Sequence, residues 1–188
     1  MPVCNEEQHL ADAVEGVLTQ AYPGPIEVIL AVAPSRDRTA EIAAKLAAAD
    51  PRVRIVANPS GRTPAGLNAA LAAAHYDVIA RVDGHGVLSP GYLRIAVETL
   101  ERTGAANVGG IMAAVGQTPL QEAVARAMRS PLGVGGAAFH VGGPEGPADT
   151  VYLGVFRRDW LERVGGYDER FVRAQDWELN HRIRRAGA

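Results

Sequence analysis

The chain has 188 residues, one ordinary domain's worth, with Lys+Arg 19 against Asp+Glu 21 and a formal net charge of −2. Hydrophobic residues make up 47% and charged residues 21%, which excludes a disordered chain, and the near-neutral balance removes the polyelectrolyte case for a nucleic-acid partner. A single cysteine, Cys4, rules out a disulfide framework and a Cys-rich metal site, and no apolar run reaches the ~18 residues of a bilayer span.

The predicted elements alternate helix and strand. Met1-Pro2-Val3-Cys4 is apolar but shorter than the ~5–6 residues of a typical strand. No signal or transit peptide pattern is present. Leu10, Ala13, Val14, Val17 and Leu18 recur at helical spacing, so a helix is expected over 6–20. Pro23-Gly24-Pro25 ends it, and the apolar run 26–32 suits a buried parallel strand. Ser35 and Asp37 are capping types ahead of an Ala-rich helix over 38–49. A strand at 53–56 leads to Thr63-Pro64, an N-cap and N1 pair opening a helix to about Ala74. Residues 77–82 form the next strand, ending at Asp83-Gly84-His85. Ser89-Pro90 repeats the cap signal for a helix to Thr103, and 107–115 reads as strand. Thr118-Pro119-Leu120-Gln121 is a capping-box start for a further helix. Residues 130–149, with six glycines and three prolines, have no period and read as a lid or binding loop. Strand 151–157, a short helix carrying Trp160 and Leu161, the Gly165-Gly166 turn and a helix over 175–186 complete the chain. Gly187 reads as a helix C′ glycine with only Ala188 after it, so the chain is expected to be cut short at both ends.

This rhythm predicts an α/β fold with a mostly parallel central sheet and helices on both faces. In such a sheet ligands bind beyond the carboxyl ends of the strands, which here carry Asn5-Glu6, Ser35-Arg36-Asp37, Arg62, Asp83-Gly84-His85 and the glycine-rich loop. That mixture suits a phosphate-bearing ligand with a divalent metal. Asp83 and His85 flank one glycine and could face one Mg2+ or Mn2+, whose Lewis-acid role would be to neutralise a diphosphate. On spacing alone, a strand-ending Asp-Gly turn with a solvated histidine is an equal reading.

The ordered motifs resemble family 2 glycosyltransferases with the GT-A fold, a Rossmann-like nucleotide-diphospho-sugar transferase architecture. Asn5-Glu6-Glu7 and Gln20-Ala21-Tyr22-Pro23 are similar to the opening of that family. Ser35-Arg36-Asp37-Arg38-Thr39 resembles its Ser-Thr-Asp-Gly-Thr, and Ala65-Gly66-Leu67-Asn68-Ala69-Ala70 its Ala-Leu-Asn-x-Gly helix. Asp83-Gly84-His85 stands where the Asp-x-Asp metal motif falls. Phe156-Arg157-Arg158, Val164-Gly165-Gly166-Tyr167-Asp168-Glu169 and Gln175-Asp176-Trp177-Glu178-Leu179 match the family's later motifs. Among subgroups, the pattern is most similar to bacterial exopolysaccharide enzymes of the succinoglycan type.

The resemblance implies a single catalytic domain over 1–188, with a nucleotide-sugar half at about 1–86 and an acceptor half at about 87–188. It implies inverting, metal-dependent transfer from a nucleotide-diphosphate sugar to a hydroxyl of a glycan or lipid-linked acceptor. Asp176 would be the general base, kept ionised by the helix dipole; a plain N-cap is its ordinary alternative. Asp83 would bind metal and donor, and His85 the metal, Mg2+ or Mn2+. Asn5 and Glu6 would sit near the nucleotide, or form a polar N-cap turn. Asp37 would bind donor, or cap a helix. Arg62 would meet base or diphosphate, or stand solvated in its loop. His140 would meet the acceptor or be incidental, Trp177 would pack or line the acceptor pocket, and Cys4 would be a small buried side chain. Gly133, Gly135 and Gly136 form no dinucleotide fingerprint, since a helix precedes them. A cytoplasmic location at the inner face of the plasma membrane is implied for the full-length protein, with membrane association only through segments absent from this chain. Two departures stand out: Val32-Ala33 replaces the family's acidic pair, and Gln175 replaces the acid of Glu-Asp. The alternative to an active enzyme is a catalytically incompetent nucleotide-sugar-binding fragment. A sugar-phosphate nucleotidyltransferase would need an N-terminal Gly-rich, Arg-containing loop, which this sequence lacks.

Overall fold

The computed structural model describes residues 1–116, 118–134 and 138–188. Gly135 and Gly136 of the glycine-rich stretch lie outside the described residues. The strands are β1 (Pro2–Val3), β2 (Val28–Val32), β3 (Val53–Ala57), β4 (Val78–Ala80), β5 (Asn107–Gly110) and β6 (Tyr152–Arg157). The helices are α1 (Leu10–Leu18), α2 (Thr39–Ala49), α3 (Thr63–Ala73), α4 (Tyr92–Thr103), α5 (Pro119–Met128), α6 (Pro131–Val134), α7 (Ala138–Val141), α8 (Arg158–Arg163) and α9 (Gln175–Arg185).

The expected α/β layering is present, and β1-β2-β3 form a parallel sheet. Parallelism stops there. The second sheet runs β4-β6-β5, with β6 antiparallel to both neighbours. The long return through α5, α6 and α7 brings β6 back between β4 and β5 from the opposite end, a path that needs no crossover helix.

β2 explains why helices cover both faces. Its side chains alternate, so Val28 and Leu30 join α1 and Ala43 of α2, while Ile29 and Ala31 pack on Ala70 of α3. A second core gathers Phe156 of β6, Leu161 of α8, Tyr167, and Leu179 and Ile183 of α9 around Leu67.

Local signals held where chemistry was local. Thr118 accepts from the Gln121 backbone at 3.2 Å and Gln121 Oε1 accepts from the Thr118 N–H at 3.1 Å, the expected capping box. Ser89-Pro90 is different. It forms a turn in which the Tyr92 N–H donates to Ser89 O, and α4 starts after Gly91, whose φ of +77° is left-handed. Gln20 fastens that start to α1, donating to Ser89 O at 3.1 Å and accepting from the Leu93 N–H at 3.3 Å. The 130–149 stretch contains two short helices, α6 and α7.

Candidate active site

The carboxyl ends of β1, β2 and β4, with the loop after β3, open on one cleft of about 210 Å3. Cys4, Glu6, Asn58, Arg81, Asp83 and His85 are on its wall. Gly84 lets the β4 exit pass close to β1: a Cβ there would lie 2.8 Å from Glu6 Cγ and 3.2 Å from Val3 Cγ1.

Arg81 organises the floor of this cleft, and sequence reasoning did not single it out. Its side chain is only 8% exposed. Nε and Nη2 each donate to Asp83 Oδ1 at 3.1 Å, and Nη1 donates to Asp176 Oδ1. Burial alone would lower the Arg81 pKa, but Asp83 and Asp176 outweigh it and hold the guanidinium firmly protonated. The available signal was an arginine inside an otherwise apolar strand, a placement that demands buried anionic partners.

Asp176 lies in the first turn of α9 behind Ala174, the N-cap residue. The helix dipole was expected to keep it ionised. Instead, burial pushes its pKa up, against the opposing pull of Arg81, with Asp83 adding to the rise. A carboxylate with a raised pKa is a better proton acceptor, provided it is ionised at working pH. Tyr167 is buried beside this group, and burial followed by the Asp176 charge raises its phenol pKa, keeping it neutral.

His85 is 59% exposed at the cleft, and its Nδ1 stands 2.8 Å from Glu6 Oε1. Glu6 is therefore a partner of His85, and its backbone N–H donates to the buried Thr39 hydroxyl at 2.7 Å. A carboxylate on one ring nitrogen directs the other outward for a ligand. Among the described residues, no group of three or more His, Cys, Asp or Glu side chains is gathered to hold an ion. One carboxylate, one imidazole and an open cleft nevertheless fit Mg2+ or Mn2+, which bind through few protein ligands when phosphate oxygens complete the shell.

The remaining expected residues take supporting positions. Asp37 accepts from the Thr39 N–H and hydroxyl through Oδ1, at 3.0 and 2.6 Å, and from the Glu7 N–H through Oδ2. The Thr39 hydroxyl leads in lowering its pKa. Asn5, at φ +56°, accepts from the Arg36 N–H at 2.8 Å and ties the first loop to the second. Arg62 is exposed between Gly61 and Thr63, which line the cleft. Trp177, which follows Asp176 in α9, is 54% exposed and stacks on His181 with ring centroids 5.6 Å apart. His140 rests on Phe139 in α7, with ring centroids 4.4 Å apart. Cys4 corrects the expectation of burial: its thiol is exposed and donates to Pro34 O at 3.7 Å, because β1 has already ended and the chain turns outward.

Two motifs far apart in sequence meet at Asn68. Its Nδ2 donates to Tyr167 O and its Oδ1 accepts from the Tyr167 N–H, both at 2.8 Å, and Nδ2 also reaches Glu169. Gly166 must be glycine here, since φ is +70° and a Cβ would lie 2.7 Å from Asn68 Oδ1.

This fold, with acidic residues gathered at the carboxyl edge of a Rossmann-like sheet, is that of the GT-A glycosyltransferases. Residues 1–165 match the family described as Glycosyl transferase family 2, and the chain belongs to that family. Over its whole length it is 35% identical to the succinoglycan biosynthesis protein ExoA of Rhizobium meliloti (strain 1021), of which it spans 57%. The mannosyltransferase PcManGT from Pyrobaculum calidifontis, solved with GDP-Man and Mn2+, superposes with a TM-score of 0.70 at 19% identity, covering 97% of this chain and 50% of that one. S. aureus TarS residues 1–349, solved in complex with UDP, gives a TM-score of 0.69 at 16% identity, covering 97% and 53%. No helix among the described residues is long and apolar enough to cross a membrane.

Proposed function

We propose that this chain is the catalytic domain of an inverting, metal-dependent glycosyltransferase. It takes a sugar from a nucleotide-diphosphate donor and places it on a hydroxyl of a glycan or lipid-linked acceptor. The observation that carries this reading is the buried Arg81 bridge, which ties Asp83, on the wall of the cleft, and Asp176, next to the cleft-lining Gln175, to one guanidinium.

In the proposed reaction, Asp176 accepts the proton of the acceptor hydroxyl as that oxygen bonds to the anomeric carbon. The bond from that carbon to the diphosphate oxygen breaks, and the nucleoside diphosphate leaves with the electron pair. Attack opposite the leaving group inverts the anomeric configuration. Arg81 keeps Asp176 oriented and opposes the upward pull of burial on its pKa. The β1 and β2 exits, with Glu6 and the Asn5 and Asp37 loops, form the nucleotide side of the cleft. Trp177 offers an apolar platform for an acceptor ring. Asp83 and His85 would hold Mg2+ or Mn2+, which when bound neutralises diphosphate charge. PcManGT with GDP-Man and Mn2+ and TarS with UDP support a nucleotide-sugar partner and a divalent ion for this fold. The similarity to the succinoglycan biosynthesis protein ExoA supports a role in exopolysaccharide biosynthesis.

Calorimetry with UDP and GDP, with and without Mn2+, combined with a donor-hydrolysis and transfer assay, tests this reading. Metal-dependent binding with turnover is expected. The chain spans 57% of the length of ExoA; binding with neither hydrolysis nor transfer would select the other reading, a nucleotide-sugar-binding fragment without turnover.

A further inference from the structure

Glu6 and His85 leave different strands, and a run of hydrogen bonds fixes the first against the second. The Glu6 backbone is fully committed. Its N–H donates to the Thr39 hydroxyl at 2.7 Å, and its carbonyl accepts from the His9 and Leu10 N–H groups at 3.0 and 2.9 Å. Thr39 is fully buried, and its hydroxyl donates onward to Asp37 Oδ1 at 2.6 Å. Asp37 also accepts from the Thr39 and Glu7 N–H groups, so both of its oxygens are occupied.

The Glu6 side chain is only 16% exposed and lies against the β4 exit, where Gly84 leaves room for it. There Oε1 stands 2.8 Å from His85 Nδ1. A carboxylate only accepts, so Nδ1 carries the ring proton and Nε2 keeps its lone pair. The Gly86 N–H closes the turn on Asp83 O at 2.9 Å. Both Arg81 bonds to Asp83 fall on Oδ1. Among the described residues none bonds Asp83 Oδ2 or His85 Nε2, so one turn offers an oxygen and a nitrogen lone pair.

We propose that Glu6 is a positioning residue for His85 rather than a contact to the nucleotide, with Thr39 and Asp37 holding it from behind. The proposal rests on the Mg2+ or Mn2+ site proposed for Asp83 and His85. Holding the ring through Nδ1 fixes its tautomer and rotation before an ion arrives, and it makes Nε2 more basic. Charge points the same way, because a carboxylate repels a nucleoside diphosphate but complements an imidazole that turns its N–H toward it. Glu6 thus acts on the donor through the ion, from 79 residues before the ligand it steadies.

The test titrates Mn2+ in the presence of UDP or GDP, following free Mn2+ by electron paramagnetic resonance, alongside metal-free nucleotide binding by calorimetry. Glu6→Ala is expected to weaken Mn2+ binding about 10–100-fold and to leave metal-free nucleotide affinity unchanged. His85→Ala should do the same and abolish the imidazole-nitrogen signal in the electron spin echo of bound Mn2+. Adding Glu6→Ala to His85→Ala should weaken Mn2+ no further, because the two residues act as one unit. Glu6→Gln keeps the size and the acceptor, so it should retain the nitrogen signal and bind Mn2+ more tightly than Glu6→Ala. Native Mn2+ affinity in Glu6→Ala, an equal loss in the His85→Ala background, or lost metal-free nucleotide binding overturns the positioning role and leaves the metal site standing. Absence of Mn2+ binding to the native chain with either nucleotide removes the metal site itself, and the proposal with it.

Discussion

Arg81, immediately after β4, donates a charge-assisted hydrogen bond to Asp176 in the first turn of α9, across a sequence separation of 95 residues. The same guanidinium holds Asp83 through two further bonds. One buried cation thus fixes the spacing between a candidate donor-binding carboxylate and a candidate base.

Asp176→Asn preserves shape and removes the proton acceptor. Transfer is expected to fall by about 10²–10⁴, with nucleotide affinity and circular dichroism unchanged. Wild-type turnover in this variant would remove Asp176 from the mechanism.

The pH profile follows from the direction of the Asp176 shift. Its pKa is raised above the ordinary 3.8, so the acid limb of kcat should lie above that pH, with activity lost as pH falls through it. The stability contribution has the opposite sense. For a carboxyl with a raised folded pKa it is fully present below 3.8 and is lost as pH rises through the folded value. A kcat profile flat down to pH 3.8 would contradict the assignment.

Arg81→Met should leave two half-buried carboxylates facing each other without their cation. A loss of about 3 kcal/mol in urea denaturation is expected. Arg81→Lys should recover only part of it, because one ammonium cannot reproduce the fork that reaches both partners. Equal stability of the Met variant and the native chain would show the bridge to be dispensable.

Asn68→Ala removes the two 2.8 Å bonds to the Tyr167 backbone. With Tyr167 packed in the second core, thermal denaturation should report a loss of about 2 kcal/mol. Gly166→Ala should cost a similar amount, through its positive φ and the close approach of a Cβ to Asn68. An additive double variant would deny the coupling between these two positions.

The sequence by itself determined the α/β alternation, the capping box at Thr118 and Gln121, and the placement of Asp83 and Asp176 just beyond a strand and just inside a helix. Those features depend on periodicity and on bonds between residues a few positions apart. Tertiary structure alone decided that β6 inserts antiparallel between β4 and β5, that Glu6 pairs with His85, that Cys4 faces solvent, and that Arg81 joins the two aspartates. Each of these depends on which strand lies beside which, and a buried charge takes the partner that packing brings to it, however distant along the chain.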